Sequence, residues 1–120
     1  MKTQTIYTIL LRVGKYGDMP HDTSLYRFES FDDAKKCFDK KYNGEKLRKK
    51  LVFFVNNNII DFDNFVYLSA YINKEVYTIH SNGEKEIDSD KSSVLYGSMV
   101  EGRQGIRKSY RVLEDRTTVL

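Results

Sequence analysis

The run Ser30-Phe31-Asp32-Asp33-Ala34-Lys35-Lys36-Cys37-Phe38-Asp39-Lys40-Lys41-Tyr42-Asn43-Gly44 decides the fold class. Ser30 with Asp33 three residues on resembles a capping box, with Asp in place of the usual Glu. Phe31, Ala34, Phe38 and Tyr42 fall on one face at helical spacing, with Cys37 beside them. Asp32 and Asp33 lie in the first turn and Lys40 and Lys41 in the last, which complements the helix dipole. Asn43-Gly44 reads as the stop, Gly44 taking a left-handed conformation. The spacing therefore predicts a helix over about 31–42, with one apolar face that needs a sheet or another helix to cover it.

Upstream, Tyr7, Ile9, Leu11 and Val13 alternate with Ile6, Thr8, Leu10 and Arg12, which is strand periodicity. Leu25 to Phe28 alternates likewise. The pair reads as a hairpin with a long connection around the single proline, Pro20. Downstream, Glu45 to Lys50 reads as a short second helix or a loop, and Leu51 to Val55 as a buried strand broken by Asn56-Asn57-Asn58. Phe65 to Ile72 and Glu75 to His80 read as a hairpin around Asn73-Lys74, with Ala70 facing Tyr77 and Leu68 facing Ile79. Ser81-Asn82-Gly83-Glu84 signals a second tight turn. Ser93 to Val100 and Ile106 to Leu113 read as two more strands. On the last, Ile106, Lys108, Tyr110 and Val112 share one face, and Arg107, Ser109 and Arg111 the other. The expectation is a single α+β domain over residues 1–120: a mostly antiparallel, curled sheet of about six to seven strands on one main helix.

The 120 residues are 40% hydrophobic and 13% aromatic, which places the chain among globular rather than disordered sequences. Cys37 is the only cysteine, so no intrachain disulfide can form, and a reducing, cytoplasmic setting is expected. The longest apolar block, Leu51 to Val55, is far short of a membrane span, and Met1 to Val13 is too polar for a secretion signal. Lys, Asn, Ile and Tyr are plentiful, which suggests an AT-rich genome such as that of a low-GC bacterium or its phage.

Charge is sorted along the chain. Residues 35–50 hold eight basic and two acidic side chains, residues 61–101 three and eight, and residues 102–116 five and two, within a net of +3. One reading makes Lys46, Arg48, Lys49 and Lys50 a basic patch, joined by Arg103, Arg107, Lys108 and Arg111, that attracts phosphate. The other makes these solvated faces that pair with the acidic middle, within one molecule or between copies.

Sites of chemistry are hard to find. His21 and His80 are the only histidines, and neither lies at a ligand spacing with Cys37. Asp61-Phe62-Asp63 and Asp88-Ser89-Asp90 begin like calcium loops but lack the Gly and the distant Glu. Cys37 reads as a small core residue and His80 as a rim histidine near Tyr67. The glycines form neither a P-loop nor a dinucleotide fingerprint. The run Arg12 to Gly17, followed by Phe28-Glu29-Ser30 and by Ala34, Phe38 and Lys41, resembles the WGR domain of poly(ADP-ribose) polymerases. The tryptophan that defines that domain is absent, and the chain is not assigned to it.

Action by contact is the remaining expectation: a small non-enzymatic binding or inhibitor protein with a protein partner. Its surface would combine Tyr67, Tyr71, Tyr96 and Tyr110 with neighbouring arginines, the residue types that dominate interface energy. A phage or mobile-element anti-defence factor, anti-CRISPR-like, is one instance suggested by size and composition. The alternative is a nucleic-acid or nucleotide-binding module using segments 46–50 and 103–111, and after it a small enzyme with an unfamiliar site. Homo-oligomers are expected if oppositely charged segments pair between copies. No cofactor, metal or membrane contact is expected.

Overall fold

A computed structural model describes residues 2–15, 21–60, 65–103 and 109–115. Two strands, β1 (Lys2–Lys15) and β2 (His21–Phe28), precede two helices, α1 (Phe31–Lys41) and α2 (Gly44–Asn56). Four strands follow: β3 (Phe65–Ile79), β4 (Lys85–Ile87), β5 (Ser93–Arg103) and β6 (Ser109–Asp115). All pairings are antiparallel, in the order β2-β1-β3-β5-β6, with β4 beside the far end of β3. Register shifts at Ile9/Leu10, Ile72/Asn73 and Met99/Val100 curl the sheet. The fold is α+β, a curled six-stranded sheet with helices on one face.

Helix α1 forms as its sequence dictates. The Ser30 hydroxyl accepts from the Asp33 amide at 3.4 Å, and Tyr42 is the C-cap. The stop differs in its cause. Asn43 is extended and caps the next helix, its side chain accepting from the Lys46 amide at 3.1 Å. Gly44 is the first residue of α2 and has no positive φ.

The strand expected at Leu51 to Val55 is a helix. Leu47, Leu51 and Val55 repeat every fourth residue and are all buried, so the apolar stripe begins inside the basic segment. Lys and Arg occupy the outer faces of the same turns. Asn56-Asn57-Asn58 ends this helix. Asn58 takes φ 57°, its amide donates to Val55 O at 3.2 Å, and Ile59 N donates to Phe54 O at 2.8 Å. That is a Schellman cap with Asn in the left-handed position.

The expected hairpin around Asn73-Lys74 is likewise one continuous strand of 15 residues. Asn73 pairs with Thr8 on one side and Val94 on the other, and Lys74 with Tyr7 and Ser93. Neither residue has the positive φ that a two-residue hairpin turn needs, and neither is Gly. Ala70 therefore faces Leu11 and Ser98 rather than Tyr77, and Leu68 faces Val13 and Val100 rather than Ile79. Tyr77 and Ile79 pair with β4. The second expected turn does form: Gly83 has φ 87° and its amide donates to His80 O at 2.9 Å.

The core lies between the helices and one face of the sheet. Ile9 and Leu11 of β1, Val66, Leu68, Ala70 and Ile72 of β3 and Val100 of β5 meet Ala34 and Phe38 of α1 and Leu47, Leu51 and Val55 of α2. Each fully buried apolar side chain contributes roughly 1.5–3 kcal/mol. Tyr96 and Tyr110 belong to this side: Tyr96 meets Phe38 edge-on at 5.2 Å, and its hydroxyl donates to Asp39 Oδ1 at 2.8 Å. The chain is elongated, 59 × 27 × 23 Å, because a strand of β3's length alone spans about 50 Å.

Candidate recognition face of the sheet

Side chains alternate across a strand, so the residues between the core positions share the opposite face. On β3 these are Phe65, Tyr67, Ser69 and Tyr71. Their partners are Gly14, Arg12 and Leu10 on β1, and Arg103, Glu101, Met99 and Gly97 on β5. Asp22 of β2 pairs with Arg12, and Arg111 of β6 with Glu101. No described helix packs on this side. Three clusters occupy it.

At one end Arg12 reaches Asp22 with a fork. Nε donates to Oδ1 at 2.6 Å and Nη2 to Oδ2 at 2.9 Å. The Tyr71 hydroxyl donates to Asp22 Oδ2 at 3.2 Å, and the guanidinium lies 5.5 Å from the Tyr71 ring centre. The hydrogen bond from Arg12 holds the Asp22 carboxyl below its ordinary range, against the opposing effect of burial. The same bond raises the Arg12 pKa, so the pair stays ionised. Burial chiefly raises the Tyr71 hydroxyl. Beside this cluster Gly97 leaves a concavity of about 240 Å³, walled by Arg12, Tyr71, Met99 and Val94.

In the middle, the Tyr67 ring lies across the backbone of Gly14. A Cβ at Gly14 would overlap the ring, so the absent side chain makes the seat. Phe65 stands beside Tyr67 with ring centres 6.2 Å apart, and the Arg103 guanidinium lies 5.3 Å from the Phe65 ring centre.

At the other end Glu101 is buried, its side chain 6% exposed. Its carboxylate accepts from Arg103 Nε at 3.0 Å, Arg103 Nη2 at 3.4 Å and Arg111 Nη2 at 3.1 Å. A buried carboxylate is costly unless paired and hydrogen-bonded, and here two guanidiniums do both. Those guanidiniums face water, with the Arg103 and Arg111 side chains 64% and 72% exposed. A cavity of about 320 Å³ lies between them, Ser109 and Tyr110.

The structure brings together Tyr67, Tyr71, Arg103 and Arg111 of the expected site, and adds Arg12, Asp22, Phe65, Met99 and Glu101. Lys46, Arg48, Lys49 and Lys50 are elsewhere, on α2 on the other side of the sheet, so among the described residues they do not join Arg103 and Arg111. Arg107 and Lys108 lie outside the described residues, as do Asp61, Phe62 and Asp63. The basic residues of α2 have local partners: Arg48 pairs with Glu45, Lys46 donates to Lys40 O, and Lys50 stands over Tyr42 and Phe54 at 5.7 and 5.9 Å. Lys49 is exposed. Among the described residues, the acidic middle meets the basic C-terminal segment through Glu101.

The remaining candidates are scattered. His80 Nε2 lies 3.0 Å from Glu86 Oε2, not beside Tyr67, because the hairpin that would have joined them is absent. Cys37 is half-buried against the core. Asp88 Oδ1 accepts from the Asp90 amide at 3.1 Å, a local turn. Among the described residues no three His, Cys, Asp or Glu side chains come together as a metal site. No described helix is long and apolar enough to cross a membrane. Set against known proteins, the chain matches no family model, no curated protein and no solved structure.

Proposed function

We propose that this chain is a non-enzymatic binding protein that acts by protein–protein contact through the helix-free face of its sheet. The observation that carries the reading is the convergence of Phe65, Tyr67, Tyr71 and Met99 with Arg12, Arg103 and Arg111 on one face that no described helix covers. Aromatic residues, Met and Arg are the types enriched at interface cores. Their rings and guanidiniums are already held by neighbours, which lowers the entropy cost of binding. Asp22 and Glu101 leave these three arginines with a net charge of only +1, too little for a phosphate-tracking surface. The occupant that fits is a protein surface with an apolar patch and a flanking carboxylate.

The test is capture of partners from native extract by the wild-type chain, Tyr71→Ala and the pair Lys49→Glu/Lys50→Glu, with and without nuclease. The expected result is a nuclease-resistant complex that Tyr71→Ala weakens at least tenfold and the lysine pair leaves intact. A complex indifferent to Tyr71→Ala overturns the reading. Light scattering tests a second copy as occupant: a mass near 14.1 kDa removes it, and a dimer dispersed by Tyr71→Ala supports it. The narrower proposal, a phage or mobile-element inhibitor of the anti-CRISPR kind, rests on small size and composition. It requires that the captured partner be a defence nuclease whose activity falls when the chain is added.

One observation favours a second reading. The segment 31–56 that forms the helix layer holds eight basic and four acidic side chains, and Lys36, Lys40 and Lys49 are exposed. A nucleic-acid contact there would weaken steeply with salt. Salt-independent or absent binding of an oligonucleotide removes it.

A further inference from the structure

We infer that Arg103 and Arg111, held by Glu101, form a seat for one carboxylate of the protein partner. The inference rests on the reading of this face as a protein-contact surface and names what its charged end takes.

Geometry supplies the first argument. Arg103 Nε and Arg111 Nη2 both donate to the same oxygen, Glu101 Oε1, at 3.0 and 3.1 Å. The two nitrogens therefore lie no more than about 6 Å apart, flanking one point. Among the described residues, Arg103 Nη1 and Arg111 Nε and Nη1 have no acceptor, and both arginine side chains are more than half exposed. Glu101 uses its inner side to fix two forks whose outer edges remain open to the cavity.

Charge supplies the second. Two guanidiniums and one carboxylate leave +1, which a monoanion neutralises and a dianionic phosphate exceeds. A planar carboxylate matches guanidinium forks bidentately. The seat is also continuous with apolar surface, since the Arg103 guanidinium stands over Phe65 and Phe65 stands beside Tyr67. An acidic side chain or a chain end flanked by apolar residues would engage both at once.

The experiment uses the full chain alone, so it does not depend on finding a partner. Three monoanions are titrated: N-acetylglycine for a chain end, the γ-carboxylate of N-acetylglutamate α-methylamide for a side chain, and dimethyl phosphate for a nucleic-acid backbone. The readout is the NMR shift of the Arg103 and Arg111 Nε–H signals and, in variants that lack them, of the backbone amides at positions 103 and 111. At least one carboxylate is expected to give saturable shifts at both arginines, and the tighter of the two identifies a chain end or a side chain. The pair Arg103→Lys/Arg111→Lys keeps the charge and loses the forks, so affinity should fall at least tenfold. Glu101→Gln raises the net charge and frees the forks, and affinity should fall rather than rise. Absence of saturable shifts, unchanged affinity in the lysine pair, a rise in Glu101→Gln, or tighter binding of dimethyl phosphate than of either carboxylate overturns the seat. Loss of partner capture in Tyr71→Ala bears on the parent reading alone.

Discussion

Asp22 is 37% exposed, yet it anchors one end of the recognition face because Arg12 and Tyr71 both donate to it. Its folded pKa lies below the ordinary value, so its contribution to stability is present above the unfolded pKa of about 4. That contribution is lost as the pH falls through the lower folded pKa. An exposed pair of this kind contributes at most about 1 kcal/mol. Denaturant unfolding of the wild-type chain and Asp22→Asn should differ by a constant amount above about pH 4 and converge below it. A difference that grows in acid would contradict the assignment. Asp39 follows the same sign: burial works against its charge, but Lys35 and Tyr96 outweigh it and hold the carboxyl low. Tyr42, pushed up to about 12 chiefly by burial and next by Tyr26 and Cys37, stabilises at neutral pH and ceases to as the pH rises through that value. The Arg12–Asp22–Tyr71 cluster was not legible in the sequence, because Arg12 and Tyr71 are brought together only by pairing of β1 with β3, whereas Lys35 and Asp39 stand four apart on one helix.

Helix α1 was legible because all its signals are local: a cap three residues from its partner, an apolar stripe and charges matched to the dipole. Helix α2 was obscured because Leu51 to Val55 is continuously apolar, and a short apolar run alone does not separate a buried strand from a helix. The period of four that runs back to Leu47 carried the missing information. Leu51→Ala should cost about 2–5 kcal/mol, since its side chain is fully buried. Asn43→Ala should cost about 1 kcal/mol through loss of the α2 cap. The uninterrupted β3 yields the sharper test. Lys74→Gly would place a glycine directly after Asn73, the preferred pair for a two-residue hairpin, and a hairpin would be stabilised by it. In the middle of a strand paired on both sides, the same glycine should destabilise by roughly 0.5–1 kcal/mol. Thermal or denaturant midpoints of the single variant decide the sign.

At the scale of the molecule, the sheet separates Lys49 from Arg103 and Arg111, which one of the two readings of the linear charge pattern joined in a single patch. Lys49 lies on α2, and Arg111 lies on the opposite side of the sheet from the helices. A helix layer and a sheet layer intervene, each roughly 10 Å thick. Screening at physiological salt acts over about 8 Å, so the two charges barely interact through solvent. The sequence exposed the sorting of charge but not its placement, because which face a strand residue takes depends on register with partners far along the chain. A charge reversal on one side should therefore leave the other side's binding nearly unchanged. Lys49→Glu should alter carboxylate affinity at Arg103 and Arg111 by less than about twofold at roughly 0.15 M salt. Combined with Arg111→Lys, its effect should add to within about 0.5 kcal/mol, as for distant sites that share no partner. If instead Lys49→Glu abolished carboxylate binding, α2 and the far end of the sheet would have to act as one basic surface. That would require a helix layer wrapped around the β6 edge rather than stacked on the core face where Leu47, Leu51 and Val55 are buried.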